Sequence, residues 1–142
     1  MLTRIFNTNR NTNMSNPHIL RWAALSGALA VGIGAFGAHG LKPHLSEYQI
    51  SIFEKGVQYH FVHTLALLAV GILAERAGNT TWTHWSARLF ATGIALFSGS
   101  LYLLACRDLL PFSVAWAGPV TPLGGLCFIA GWVVLGIREF RY

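Results

Sequence analysis

The chain has 142 residues, of which 54% are hydrophobic and 11% charged, with a mean hydropathy of +0.49. A soluble domain carries about twice that charged fraction, so the composition argues against a water-facing globule. The net charge of +5 comes from single basic residues scattered between apolar segments, with no stripe and no aromatic interleaving. That argues against a nucleic-acid surface and fits the basic flanks of membrane spans.

No Asp, Glu, Lys or Arg occurs in residues 22–41, 56–74, 89–106 or 109–137. A membrane-crossing helix needs about 17 to 25 mostly apolar residues. The pattern predicts four spans, near 19–38, 57–74, 87–106 and 120–137. Residues 1–17 are polar, rich in asparagine and free of acids, and read as a flexible tail, with Met1 and Met14 both available as starts. Arg4, Arg10 and the missing acids suit a transit peptide, but the stretch is short and its apolar residues do not repeat, which argues against one. The apolar run after them is too long for a typical signal-peptide core, which favours a retained first span.

Span one carries Arg21 and Trp22 at its start, a basic residue and an aromatic suited to the headgroup region. Ala23, Gly27, Ala30, Gly34 and Gly37 recur at spacings of four and three, a single bare face that admits another backbone. Gly40 and Pro43 mark its exit. Residues 45–56 read as a short interfacial helix, with Tyr48, Ile52 and Phe53 near one face.

Span two carries His60 and His63 in its first turns. Residues 75–86 read as a polar loop, with Gly78-Asn79 as the turn and Trp82 and Trp85 as interface anchors. Span three places Ala91, Ala95 and Gly99 four apart, a second close-packing face. Thr121 and Pro122 suit an N-cap and first helical position for span four. The helix from there to Ile137 would be about 24 Å long, short against a hydrocarbon layer of about 30 Å.

Four spans put the tail, middle loop and C-terminus on one side. That side holds Arg4, Arg10, Arg21, Arg76, Arg88, Arg138 and Arg141, against Lys42, Lys55 and Arg107 opposite. The positive-inside rule then places both termini in the cytoplasm.

This topology is expected to gather His39, His60, His63, Ser98, Ser100, Tyr102 and Thr121 in the outer half of the bundle. Histidines three apart share a helix face and could hold a metal or one face of a haem, or a small ligand such as a quinone. A zinc site wants three or four ligands, and only His39 and Glu54 could be added, so no metal or cofactor is expected. The structural reading is that the imidazoles bond to Ser98, Ser100, Tyr102 or backbone carbonyls across helices. No ionisable path crosses the central layer, and Ser98-Gly-Ser100 lacks the flanks of a nucleophile elbow, so neither proton transport nor an enzyme is expected. Cys106 and Cys127 fall on the same side, and packed thiols are the default reading.

The segments GAFGAHGLKP, FEKGVQYHFVHTLALL, LFSGSLYLL and TPLGG followed by GW stand in this order. They resemble the YgdD-like small inner-membrane proteins, domain of unknown function 423, with eukaryotic relatives called transmembrane protein 256. The resemblance covers about residues 19–137. It implies a multi-pass inner-membrane protein and supplies no reaction or catalytic residue.

The expectation is therefore an all-α integral membrane four-helix bundle with a short interfacial helix between helices one and two. Its role would be structural or interactive, packing on itself or on a larger membrane complex in the lipid bilayer, with Gly27, Gly34, Gly37 and Gly99 at the packed faces. The alternative is binding or transport of a small lipophilic ligand, metal or cofactor at the polar cluster.

Overall fold

The computed structural model describes residues 18–77 and 80–139. The expected tail and the Gly78-Asn79 turn lie outside them. Four helices long and apolar enough to cross a membrane make up the fold: α1 (His18–Leu41), α2 (Glu47–Ala77), α3 (Thr81–Ala105) and α4 (Ala117–Glu139). A single 3-10 turn, Arg107–Leu109, stands in the link between α3 and α4.

Contacts between neighbours run in opposite senses, which fixes an up-down-up-down order. From α1 to α2, a Cβ on Gly27 would face Thr64, one on Gly34 would face Val57, and one on Gly37 would strike Phe53. From α3 to α4, Ser86 meets Gly131 and Ser100 meets Thr121. Helix α1 packs chiefly on α2, whereas α3 packs on both α2 and α4. Helix α4 also reaches α2 through the rings of Phe128 and Trp132, so α2, α3 and α4 meet one another and α1 lies at the edge, against α2.

Three boundaries differ from the sequence expectation, each for a local reason. The expected interfacial helix is not separate: Glu47 begins a 31-residue helix continuous with span two, about 46 Å long. Ser46 and Gln49 form a reciprocal cap at its start, the Ser46 amide donating to Gln49 Oε1 at 3.0 Å and the Gln49 amide to Ser46 Oγ at 3.3 Å. Buried Gln49 also donates through Nε2 to Asp108 Oδ2 at 2.8 Å, fastening this end of α2 to the link after α3.

The loop expected over residues 75–86 is much shorter, because Thr80 and Thr83 make a capping box and α3 starts at Thr81. Trp82 and Trp85 therefore lie on a helix rather than in a loop. Span four begins at Ala117, not at Thr121, and Pro122 sits inside it. Thr121 Oγ1 donates back to the Ala117 carbonyl at 3.2 Å, one turn earlier. The resulting 23-residue helix is about 34 Å long, enough for the hydrocarbon layer.

The α3–α4 seam is built from aromatic rings lying on glycines in alternation. Phe90 covers Gly131, Phe128 covers Gly93, and the Phe97 ring lies beside Gly125. The closest approach is at Gly124, where an added Cβ would collide with the backbone nitrogen of Phe97. Phe97 belongs to a π-helical turn, Ile94–Ser98, which widens α3 at this crossing.

Gly99 was expected at a packed face, yet a Cβ there would meet nothing within 4 Å. Ala91 and Ala95 are likewise exposed, so the small-residue face of α3 is not the one it packs with. Small residues four apart mark a face that a neighbour could approach, not one that a neighbour covers.

Gly124→Ala should lower the thermal midpoint of the detergent-solubilised protein, with an overpacking cost of about 1–3 kcal/mol. Gly99→Ala should leave it unchanged or raise it slightly, which thermal unfolding of the two variants side by side will check.

Candidate functional site

The antiparallel order sets the polar side chains of the spans against one another, but not in one cluster. His60, on α2, has both ring nitrogens engaged: Nδ1 with the Tyr102 hydroxyl at 3.1 Å and Nε2 with the Ser26 hydroxyl at 3.1 Å. Ser26 in turn lies 2.6 Å from the Thr64 hydroxyl. Tyr102 can reach over α2 because Gly56 has no side chain; a Cβ there would stand 2.8 Å from the ring. A chain of four groups therefore joins α1, α2 and α3.

His63 faces a different neighbour, although it is only three residues away. Its Nδ1–H donates to the Tyr59 carbonyl at 2.8 Å, and its Nε2 accepts from Trp132 Nε1 at 3.3 Å. The ring lies flat on Phe128, centroids 3.4 Å apart and planes within 9°. Phe90 and Tyr59 close the remaining sides. A backbone acceptor on one nitrogen and an indole donor on the other fix a single neutral tautomer.

The third group bridges α3 and α4. Ser100 Oγ donates to the Phe97 carbonyl at 2.9 Å and lies 2.7 Å from Thr121 Oγ1. Ser98 Oγ is wholly buried and has no hydrogen-bond partner. Ser98 belongs to the wide turn, beside the crossing of Gly124 and Phe97.

Of the seven residues expected to converge, His39 does not. It is exposed in the π-helical turn Gly37–Leu41 that ends α1. The other six fall into the three groups above. His60 and His63 also stand near the middle of α2 rather than at its outer end, because that helix starts at Glu47 and not at Val57.

Three partners were missed by the sequence reading: Ser26, Thr64 and Trp132. The signal for Ser26 and Thr64 was present, since a lone hydroxyl in a charge-free run must find a bond inside the protein. No such rule marks Trp132.

Among the described residues, no three of His, Cys, Asp and Glu stand close enough to hold a metal ion. Cys106 and Cys127 are free thiols, and burial pushes the Cys106 thiol up from its ordinary value. Arg107 and Asp108 make a loose exposed ion pair at 3.6 Å.

A groove of about 400 Å³ opens between α1 and α3 above α2. Trp22, Leu25 and Leu29 form one wall, Ala91, Ile94 and Ala95 the other, and Ser26, His60 and Leu67 the floor. A second groove, lined by Ala24, Ala28, Val31, Phe61, Leu65 and Leu68, runs along the opposite side of α1.

The chain is 41% identical to a UPF0382 membrane protein of Staphylococcus aureus over 84% of its length and 92% of that protein's. It is 39% identical to the UPF0382 membrane protein YwdK of Bacillus subtilis, over 84% of this chain and 93% of that one. It is 38% identical to the UPF0382 inner membrane protein YgdD of Escherichia coli, over 90% and 93%. No solved structure matches it. The family described as "Protein of unknown function (DUF423)" matches residues 33–125. With four membrane-length helices and this likeness, the chain belongs to that family of small membrane proteins of unknown role.

Proposed function

We propose that this protein is a non-enzymatic inner-membrane packing protein that associates laterally through α1. The observation that carries the reading is a row of small residues that the fold leaves open. Ala24, Ala28 and Gly32 recur every fourth residue on α1, all three are exposed, and a Cβ on Gly32 would meet nothing within 4 Å. The row expected to serve assembly, through Gly27, Gly34 and Gly37, is already used inside the chain against α2. Small residues every fourth position let helix backbones approach closely in lipid, where no water remains to be expelled.

The absence of an enzymatic role is supported by how the imidazoles are spent. His60 and His63 each have both nitrogens engaged by the protein's own groups. In a hydroxyl–imidazole catalytic pair a carboxylate orients the imidazole, whereas here the Tyr102 hydroxyl and the Tyr59 carbonyl hold those positions. The two imidazoles instead tie helices together.

The start of α1 and the end of α4 lie at the same end of an up-down-up-down bundle, and we place that end in the cytoplasm. Seven of the ten basic residues belong to it by sequence.

Three outcomes follow. Ala28→Leu and Gly32→Leu should reduce crosslinked or co-migrating oligomer in membranes, whereas unchanged assembly in both would defeat the association. A His60→Ala and His63→Ala double variant should lose thermal stability by about 0.6 kcal/mol for each interhelical bond removed, read by unfolding in detergent. A C-terminal fusion to a fluorescent protein should be bright and one to alkaline phosphatase silent, with the reverse result overturning the orientation.

A further inference from the structure

We infer that the groove between α1 and α3 binds a membrane-dissolved lipid carrying one carbonyl or hydroxyl oxygen on an apolar body. The proposal does not depend on the association through Ala24, Ala28 and Gly32, which lies on the other side of α1.

The groove has the volume of a small-molecule site, about 400 Å³, within the range of about 300–1,000 Å³ that such sites occupy. Its walls are hydrocarbon and indole, from Trp22, Leu25, Leu29, Ile94 and the two alanines. Exposed Ala91 and Ala95 keep the α3 wall low, so the space is open towards lipid. The polar side chains of its floor are Ser26, half-buried, and His60, buried.

A hydroxyl has three hydrogen-bonding positions, one donor and two acceptors. His60 and Thr64 occupy two of them. The third is unfilled, in a place where hydrocarbon alone would leave it so.

The groups behind Ser26 let that position act in either sense. When Tyr102 donates to His60 Nδ1, His60 Nε2–H donates to Ser26. If Thr64 also donates to Ser26, the Ser26 proton is free for a ligand carbonyl. When instead Ser26 donates to His60 Nε2 or to Thr64, it keeps an acceptor lone pair for a ligand hydroxyl. Every arrangement uses the same heavy-atom positions, at 3.1, 3.1 and 2.6 Å. A quinone ring and a prenyl alcohol share this requirement, a single oxygen bonded to protein and the remainder apolar. A phospholipid acyl chain offers no oxygen to satisfy Ser26, and a second copy of α1 would have to bring a polar atom of its own.

Trp22 on the groove wall supplies the readout, since a bound quinone quenches indole fluorescence. The full chain in phosphatidylcholine nanodiscs is titrated with decylubiquinone, and the Trp22→Phe signal is subtracted. The expected result is a saturable Trp22 component that geranylgeraniol reverses. Ala95→Trp fills the groove and should abolish it, and Ala91→Phe on the same exposed wall should do so independently. Ser26→Ala should weaken binding about fivefold, the loss of one hydrogen bond. Quenching that rises linearly with the probe and persists in both groove-filling variants reports bilayer partition only and overturns the proposal. So does equal affinity in Ser26→Ala, which leaves an acyl chain as the occupant, or a signal that depends on protein-to-lipid ratio, which leaves a second copy.

Discussion

Hydrocarbon donates and accepts no hydrogen bonds, so the polar side chains that α1 to α4 carry inward are answered from another turn or another helix, with Ser98 Oγ the exception among the described residues. This constraint organises the molecule. Ser26 ties α1 to α2 through His60 and Thr64, and Tyr102 extends the tie to α3. Trp132 ties α4 to α2 through His63, while Ser100 with Thr121 and Ser86 with the Gly131 carbonyl tie α3 to α4. Each bond contributes little, about 0.6 kcal/mol on average in a membrane bundle. Their larger effect is on register: sliding one helix past its neighbour by a turn would strand several of these groups at once.

Close approach makes the short bonds reachable, and glycine opposite an aromatic ring makes the approach. Phe90, Phe97 and Phe128 alternate across the α3–α4 seam, each lying where a glycine leaves room. Gly56 does the same for Tyr102, and so serves the His60 bond directly. Packing and polar satisfaction are therefore one design. The rings bring the backbones together, and the hydroxyls and imidazoles then find partners within about 3 Å.

Much of this was legible in the sequence, and the failures share a cause. Four gaps in the charge pattern predicted four helices because a charge is costly to desolvate in the central layer of the bilayer. Which polar groups would meet was harder. His60 and His63 share a face by spacing, yet they meet Tyr102 and Trp132, on different helices, because α2 is wedged between neighbours on both sides. The helix ends were misplaced where two signals competed. Thr121-Pro122 has the form of a helix start, but the Thr121 hydroxyl bonds back to Ala117 inside a helix already under way. The segment from Glu47 carries its charges on one side of the same helical period as the span behind it, so nothing in the pattern marks a break. The small face of α3 misled because its spacing shows that a neighbour could approach, and no neighbouring helix does.

Helix α1 is where these constraints are weakest, and that has a consequence for what the protein can do. It packs chiefly on α2, and among the described residues only the contacts of Ser26 join it to the polar system of the bundle. Trp22, Leu25, Leu29, Val31 and Phe36 all stand largely exposed along it. A helix held by one partner, with a groove on either side, has two faces to offer and little apolar burial of its own to resist a small shift. The α3–α4 pair has neither property, being locked by three interdigitated rings and two cross-helix hydroxyls. The bundle thus divides into a rigid half and an accessible edge. The polar group that reaches that edge, through Ser26, keeps a hydrogen-bonding position to spare.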